Sequence, residues 1–274
     1  LSQYYYDQDG KITKGLTEIN GKTYYFNESG ELQRGSSLVY DGKFYVFGFD
    51  GDATYVQQVE DDGFIEVGEA KYYIKDGDVL KNQFIMKDNW TYYAEGNGKI
   101  VKSADVTVYD AVTNQSYQYQ FDEAGHMLYG WHQVYGNTYY YDPETGRAYK
   151  KGCYKINGVE YYFDEYNCLV KSDTRLIEGY LCYFDDQGII QKKVEVKNDG
   201  WQKMPNGWYY IQNNSLLSGQ WLTSYGKKYY FDSKGKMLAD QEIYMGDMSY
   251  FTDPGYYRFD KSGALVIGWY TDDN

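Results

Sequence analysis

The amino-acid sequence predicts an all-β protein, an elongated β-solenoid of about twelve stacked β-hairpin repeats. Three observations predict it. An aromatic triplet, YYF in its fullest form, returns along the whole chain of 274 residues. An Asx turn signal closed by glycine follows most copies. No stretch carries a helical apolar period of ordinary helix length.

Aligned on the triplet, the copies start at Tyr4, Tyr24, Tyr45, Tyr72, Tyr92, Tyr119, Tyr139, Tyr161, Cys182, Tyr209, Tyr229 and Tyr257. Seven of the gaps are 20 to 22 residues and four are 27 or 28. Directly after the triplet stand Asp7, Asn27, Asp122, Asp142, Asp164, Asp185, Asp232 and Asp260. An Asx side chain here accepts hydrogen bonds from amides two residues on and starts a turn. Three residues further come Gly10, Gly30, Gly51, Gly125, Gly188, Gly235 and Gly263, with Asn167 in the equivalent place, so a positive φ is expected there.

Beyond the turn an apolar residue recurs: Ile12, Leu32, Met127, Leu169, Ile190, Met237 and Leu265. Each unit therefore reads as a hairpin of an aromatic strand, a polar turn and a second short strand. One hairpin is marginal in water, whereas a stack covers each open face and edge with the next copy. Residues 1–274 form a single repeat array without a composition break, and the long gaps at 48–71, 95–118, 185–208 and 232–256 are places where a rod could bend.

Composition limits the partners. A formal charge of −13 disfavours nucleic acid and anionic membranes, and favours a neutral or cationic ligand. No stretch approaches the roughly twenty apolar residues of a membrane span. The 37 tyrosines place hydroxyls that need partners, which suits thin layers near water. Leu1 falls within a copy of the motif, "YYYDQDGKITKG", so the chain is expected to be a fragment of a larger surface or secreted protein, with a targeting segment and another domain upstream. Cys153, Cys168 and Cys182 lack metal-type spacing and read as small apolar packers, with a pairing of two of them as the alternative.

Two further positions carry aromatics. Eight residues before the triplet stand Leu16, Phe64, Phe84, Trp131, Trp201 and Trp221, with Trp269 equivalently placed after the last copy. Leu16 shows that an aliphatic suffices for packing, so tryptophan exceeds what the fold requires. The residue just before the triplet is mostly polar or small, as in Gln3, Thr23, Lys71, Thr91, Gln118, Thr138, Glu160 and Lys228, but is aromatic at Phe44, Trp208 and Tyr256. Trp208 with Trp221 and Tyr256 with Trp269 are each thirteen residues apart. Two aromatic faces from neighbouring loops make a groove for the apolar face of a sugar or for a quaternary ammonium ion.

The segments "GWHQVYGNTYYYDPETGRAYKKG" (130–152), "GLTEINGKTYYFNESGELQRG" (15–35) and "NGWYYIQNNSLLSGQW" (206–221) resemble the cell-wall-binding repeat family. That family includes choline-binding modules of Gram-positive surface proteins, glucan-binding repeats of streptococcal-type glucansucrases and receptor-binding repeats of large clostridial toxins. The resemblance implies an extracellular, secreted or cell-surface module without catalysis, binding a glycan or cell-wall polymer. It also implies an aromatic site at Trp208, Trp221 and Tyr229 with Trp201 nearby, and candidate positions at Trp131, Tyr256 and Trp269. Anchoring to choline on teichoic acid, or a structural spacer without ligand, is the alternative. Binding predicts tryptophans open to solvent in grooves, and a spacer predicts them covered.

No catalytic constellation is visible, no cofactor or metal is expected, and the chain reads as a non-enzyme. His126 and His132 lie in a turn and a connecting loop without metal spacing. The many carboxylates give acid pairs such as Asp61/Asp62 by number alone.

Overall fold

The computed structural model describes residues 1–246 and 254–271. Its contacts group the chain into two compact units, Leu1–Tyr149 and Lys150–Asn274. The described residues contain strands, bridges and turns, and all strand pairing is antiparallel.

Every triplet after the first lies in or at the end of a strand that pairs with the strand before it, and at Tyr45 and Cys182 also with the strand after it. Gly15–Ile19 pairs with Lys22–Phe26, Gly130–Val134 with Asn137–Tyr141, and Gln220–Ser224 with Lys227–Phe231. These ladders turn through two residues that both have positive φ: Asn20 (53°) with Gly21 (76°), Tyr135 (50°) with Gly136 (82°), and Tyr225 (49°) with Gly226 (76°). That geometry matches the twist of the flanking strands, and Asn–Gly is its preferred pair.

The hairpin expected from sequence, triplet to Asx turn to second strand, is thereby corrected. In most repeats the segment after the turn makes only one bridge, such as Phe26 with Leu32 or Phe231 with Met237, and the first copy has only Tyr6 with Ile12. The reason is where the next amide goes. Leu32 N–H donates to the carbonyl of Gln3 (2.8 Å), Ile100 to Lys71 (2.8 Å), Met127 to Thr91 (2.7 Å), Met237 to Trp208 (2.8 Å) and Leu265 to Lys228 (2.8 Å). Each acceptor is the residue before the triplet of the previous repeat. The segment after the turn does both: its next amide returns to its own triplet, as Gln33 N–H to the Tyr25 carbonyl (2.9 Å) and Leu238 N–H to that of Tyr230 (2.9 Å), so it closes a short hairpin and joins the repeats.

The turn chemistry is as expected. Asp7, Asn27, Asp164, Asp185, Asp232 and Asp260 each accept, through Oδ1, the amides two and four residues on. The seven turn glycines have φ from +73° to +89°, and Asn167 has +63°. Space adds a second demand. A Cβ on Gly30 would lie 2.3 Å from Ile12 Cδ1, and one on Gly263 would lie 2.2 Å from Met237 Cε. The apolar residue after one turn thus packs on the bare glycine of the next.

The core is a series of small clusters. Its central column is the third triplet residue, buried at Phe26, Phe47, Phe121, Phe163, Phe184, Phe231 and Phe259, and also where it is Ile74, Ala94 or Ile211. Each buried phenylalanine contributes about 1.5–3 kcal/mol relative to exposure. Two of the long gaps hold a third strand, Ala53–Gln58 and Ile190–Glu195. The last lies partly outside the described residues.

Candidate ligand-binding site

Trp201, Trp208, Tyr229, Met237 and Ser262 line a cavity of about 400 Å³ in the second unit. Three successive repeats build it. Trp201 is on the strand Gly200–Met204, one ladder position opposite Tyr210, and Trp208 is on the partner strand opposite Lys203. Tyr229 opens the next triplet. Met237 follows the next Asx turn, and its amide is held by the Trp208 carbonyl. Ser262 comes from the Asp260 turn, where its hydroxyl donates to Asp260 Oδ1 at 2.6 Å.

The rings stand on edge to one another. Trp201 and Trp208 are 6.3 Å apart at 89°, and Trp201 and Tyr229 are 5.0 Å apart at 74°. Trp201 is anchored from behind by Tyr210 (5.3 Å) and Phe231 (5.7 Å). Its indole Nε1–H donates to Ser224 Oγ at 3.4 Å. Trp208 has no such backing from the core and keeps 39% of its surface exposed. Lys203 Nζ lies 5.1 Å from the Trp208 ring centroid.

The anchored ring pair recurs elsewhere. Phe64 with Tyr92 (4.9 Å), Phe84 with Tyr119 (4.9 Å) and Trp221 with Tyr257 (5.5 Å) repeat the Trp201–Tyr229 geometry. In each, the aromatic eight residues before one triplet meets the first residue of the next. The pair therefore belongs to repeat packing, and what changes is the residue before the triplet: Lys71, Thr91, Lys228 or, at the cavity, Trp208.

Of the sequence candidates, the structure brings together Trp201, Trp208 and Tyr229. Trp221 is not part of this cavity; it packs against Tyr230 (5.1 Å), Tyr257 and Phe259 (5.8 Å), one interface further on. A thirteen-residue separation spans two repeats, so Trp208 and Trp221 face different neighbours. Trp131 packs on Tyr140 at 4.8 Å with 38% exposed. Tyr256 contacts Tyr244 at 5.1 Å, while Trp269 stands fully in solvent. Phe44 is core, against Tyr72 and Tyr55. Met237 and Ser262 escaped sequence reading because they resemble ordinary packing and turn residues. Trp90, outside every register, stacks on His126 at 4.0 Å and 15°.

The remaining candidates are structural in setting. His126 Nδ1 faces Asp122 Oδ2 at 3.2 Å, and His132 Nε2 faces the Tyr129 carbonyl at 3.0 Å. The three cysteines are free thiols, and burial pushes that of Cys182 up to about 11. Among the described residues no group of three or more His, Cys, Asp or Glu is placed to hold a metal, and no helix is long and apolar enough to cross a membrane.

Residues 13–58 match the family model described as a choline-binding repeat, and residues 219–237 match one described as a putative cell wall binding repeat. Two segments of the chain, 13–58 and 219–237, are thus similar to repeats of this kind. Glucosyltransferase-S of Streptococcus downei is 28% identical over 225 residues, 78% of this chain and 16% of that protein. Glucosyltransferase-I of the same species is 27% identical, over 97% of this chain and 18% of that protein. The chain therefore spans less than a fifth of these relatives. Among solved structures, choline binding protein F from Streptococcus pneumoniae is similar over 97% of this chain and 99% of its own, at 21% identity and a TM-score of 0.43.

Proposed function

We propose that this chain is a non-catalytic module that binds a cell-surface glycan or cell-wall polymer through aromatic cavities between hairpin repeats. The carrying observation is the cavity at Trp201, Trp208 and Tyr229. Its Trp208 wall is a large apolar face that the fold leaves open, and exposed tryptophan on a rigid scaffold is suited to ligand contact. The streptococcal glucosyltransferases support a carbohydrate polymer as partner.

The hairpins stack within each unit as a β-solenoid, supported by the amide of one repeat reaching the carbonyl of the one before it. The triplet spacing runs from Tyr139 to Tyr161 without change of type, which supports one repeat array. Weak sites on such an array gain avidity on a repetitive ligand. The module belongs to a secreted or surface protein whose other domain it holds at the target.

A second reading, choline on a cell-wall polymer, is favoured by the ring angles. Rings near perpendicular to one another suit a compact cation held on several faces, whereas a sugar stacks flat on one. Calorimetric titration with α-glucan oligosaccharides, peptidoglycan glycan fragments and choline, on wild type and Trp208→Ala, tests both. Binding of a glycan or choline, lost in the folded variant, supports the cavity and names its ligand. Binding to none of them overturns the assignment.

A further inference from the structure

One contact between repeats departs from the aromatic pattern in both of its residues. Cys153 stands eight residues before the triplet at Tyr161, and Cys182 opens the next triplet. These are the places held elsewhere by Trp201 and Tyr229, Phe64 and Tyr92, Phe84 and Tyr119, and Trp221 and Tyr257, whose rings meet at 4.9 to 5.5 Å. Here both places hold a thiol.

The two cysteines share neighbours. Tyr162 stands directly across the ladder from Cys153, and Tyr162 and Ile177 both pack against the cluster of Val170, Cys182 and Phe184. Two thiols fill less space than two rings, and a cavity of about 390 Å³ lies beside Cys153, lined also by Tyr162, Ile177 and Glu178. Cys153 is exposed and Cys182 is buried. Burial raises both thiols above their ordinary value; Glu178 adds to this at Cys153 and Glu160 at both, while Lys193, across the ladder from Cys182, opposes it. The charge of Cys153 also raises Cys182, so the sulfurs lie within each other's field. A dithiol without a stabilised thiolate gives a disulfide that resists reduction.

We propose that Cys153 and Cys182 form a dithiol–disulfide couple between successive repeats, with Cys153 in its cavity as the point of attack for small aliphatic disulfides. The Cys153 thiolate attacks one sulfur of the incoming RSSR; a Cys153–SR bond forms, the S–S bond of the reagent breaks and one RS⁻ leaves. The Cys182 thiolate then attacks the Cys153 sulfur and expels the second RS⁻. The protein gives up two electrons and two protons, and the reagent takes them up as two RSH. Closing the bond brings the two Cα atoms within about 7 Å, and the cavity beside Cys153 gives room for that approach. Where other copies close the interface with rings, this one closes it covalently. Cys168 takes no part, since it lies in the Asp164 turn with its amide held by Asp164 Oδ1. The proposal is independent of what fills the Trp201–Trp208–Tyr229 cavity.

The test equilibrates the folded, reduced chain with oxidised glutathione at about pH 8 without denaturant, quenches with acid, alkylates the remaining thiols in urea and maps the peptides by mass spectrometry. The expected result is a peptide linked through Cys153 and Cys182, with Cys168 alkylated, and a melting temperature several degrees above that of the reduced chain that returns on treatment with dithiothreitol. Cys182→Ala should stop the reaction with glutathione on Cys153, Cys153→Ser should remove both products, and Cys168→Ser should leave the linkage intact. If Cys182→Ala does not fold, the wild-type map and Cys153→Ser decide the matter, because Cys153 is exposed. Recovery of Cys153 and Cys182 both alkylated, glutathione left on Cys153 in the wild type, or a linkage through Cys168 overturns the proposal.

Discussion

Two places in the molecule share a frame of two edge-on rings, Trp201 with Tyr229 and Phe64 with Tyr92, and differ in the residue before the triplet. At Trp201 and Tyr229 the third residue is Trp208, which leaves a cavity of about 400 Å³; at Phe64 and Tyr92 it is Lys71, whose ammonium sits 4.0 Å from a ring. The comparison teaches that aromatic abundance in this chain is mostly architecture. The ring pair closes the interface between repeats, and the residue before the triplet accompanies the difference between an open cavity at Trp208 and a ring face covered by Lys71.

The largest expected effect breaks both places by removing the column beneath them. Phe231→Ala and Ile74→Ala each empty a fully buried position, and each should lower unfolding free energy by about 2–5 kcal/mol in urea denaturation. Next comes the difference between the two tryptophans of the cavity. Trp201→Ala should lose ligand binding and also about 3 kcal/mol of stability, because Tyr210, Tyr229 and Phe231 pack on its ring. Trp208→Ala should lose binding with a stability change under about 1 kcal/mol, because its ring is not core. Equal stability losses would mean that Trp208 is structural.

A smaller effect converts one place into the other. Trp208→Lys puts an ammonium where the open cavity has an indole, and should weaken ligand binding by about tenfold or more while leaving the urea midpoint near that of Trp208→Ala or above it. Retained affinity in this variant would place the ligand elsewhere.

The smallest effect concerns the turns that set the frame spacing. Burial pushes the carboxyl of Asp185 up, but the amides of Ile189 and Gln187 and the Gln191 side chain outweigh it and hold it below the ordinary carboxylate value; Asp260 behaves alike, with the Ser262 hydroxyl and the Ala264 amide. A folded pKa below the unfolded one favours the ionised native state. The contribution is therefore complete above the ordinary carboxylate range and is lost as pH falls below about 4 toward the folded value. Urea midpoints measured downward from about pH 6 should fall there. Asp185→Asn should flatten part of that decline and keep the neutral-pH midpoint, since Asn27 makes the same two amide contacts in its own repeat.

The turn was legible in the sequence because it is local: an Asx side chain, a glycine three residues on and a buried third triplet residue act within a dozen positions. The main ladder was harder to place. Its upstream strands carry a visible register, as Trp201 in Gly200–Met204 and Trp221 in Gln220–Ser224, but other copies break it, as Thr174 in Asp173–Ile177, and nothing in that register names the pairing partner. Trp201, Trp208 and Tyr229 could be picked out as aromatic excess, but their grouping required knowing which repeat each ring faces. Met237 and Ser262 come from later repeats and look like packing and turn residues. Lys71 reads as a polar filler until its ammonium is seen over two rings.

The central claim is that the cavity at Trp201 and Trp208 is a ligand-binding site. The six indole N–H groups give separate reporters in a two-dimensional ¹H–¹⁵N spectrum, assigned by single tryptophan substitutions and followed through titration with choline or an α-glucan oligosaccharide. Saturable shifts of Trp201 and Trp208, with Trp90 and Trp131 unmoved, are the predicted result. Shifts confined to Trp131, Trp221 or Trp269 with Trp201 and Trp208 unmoved would contradict it.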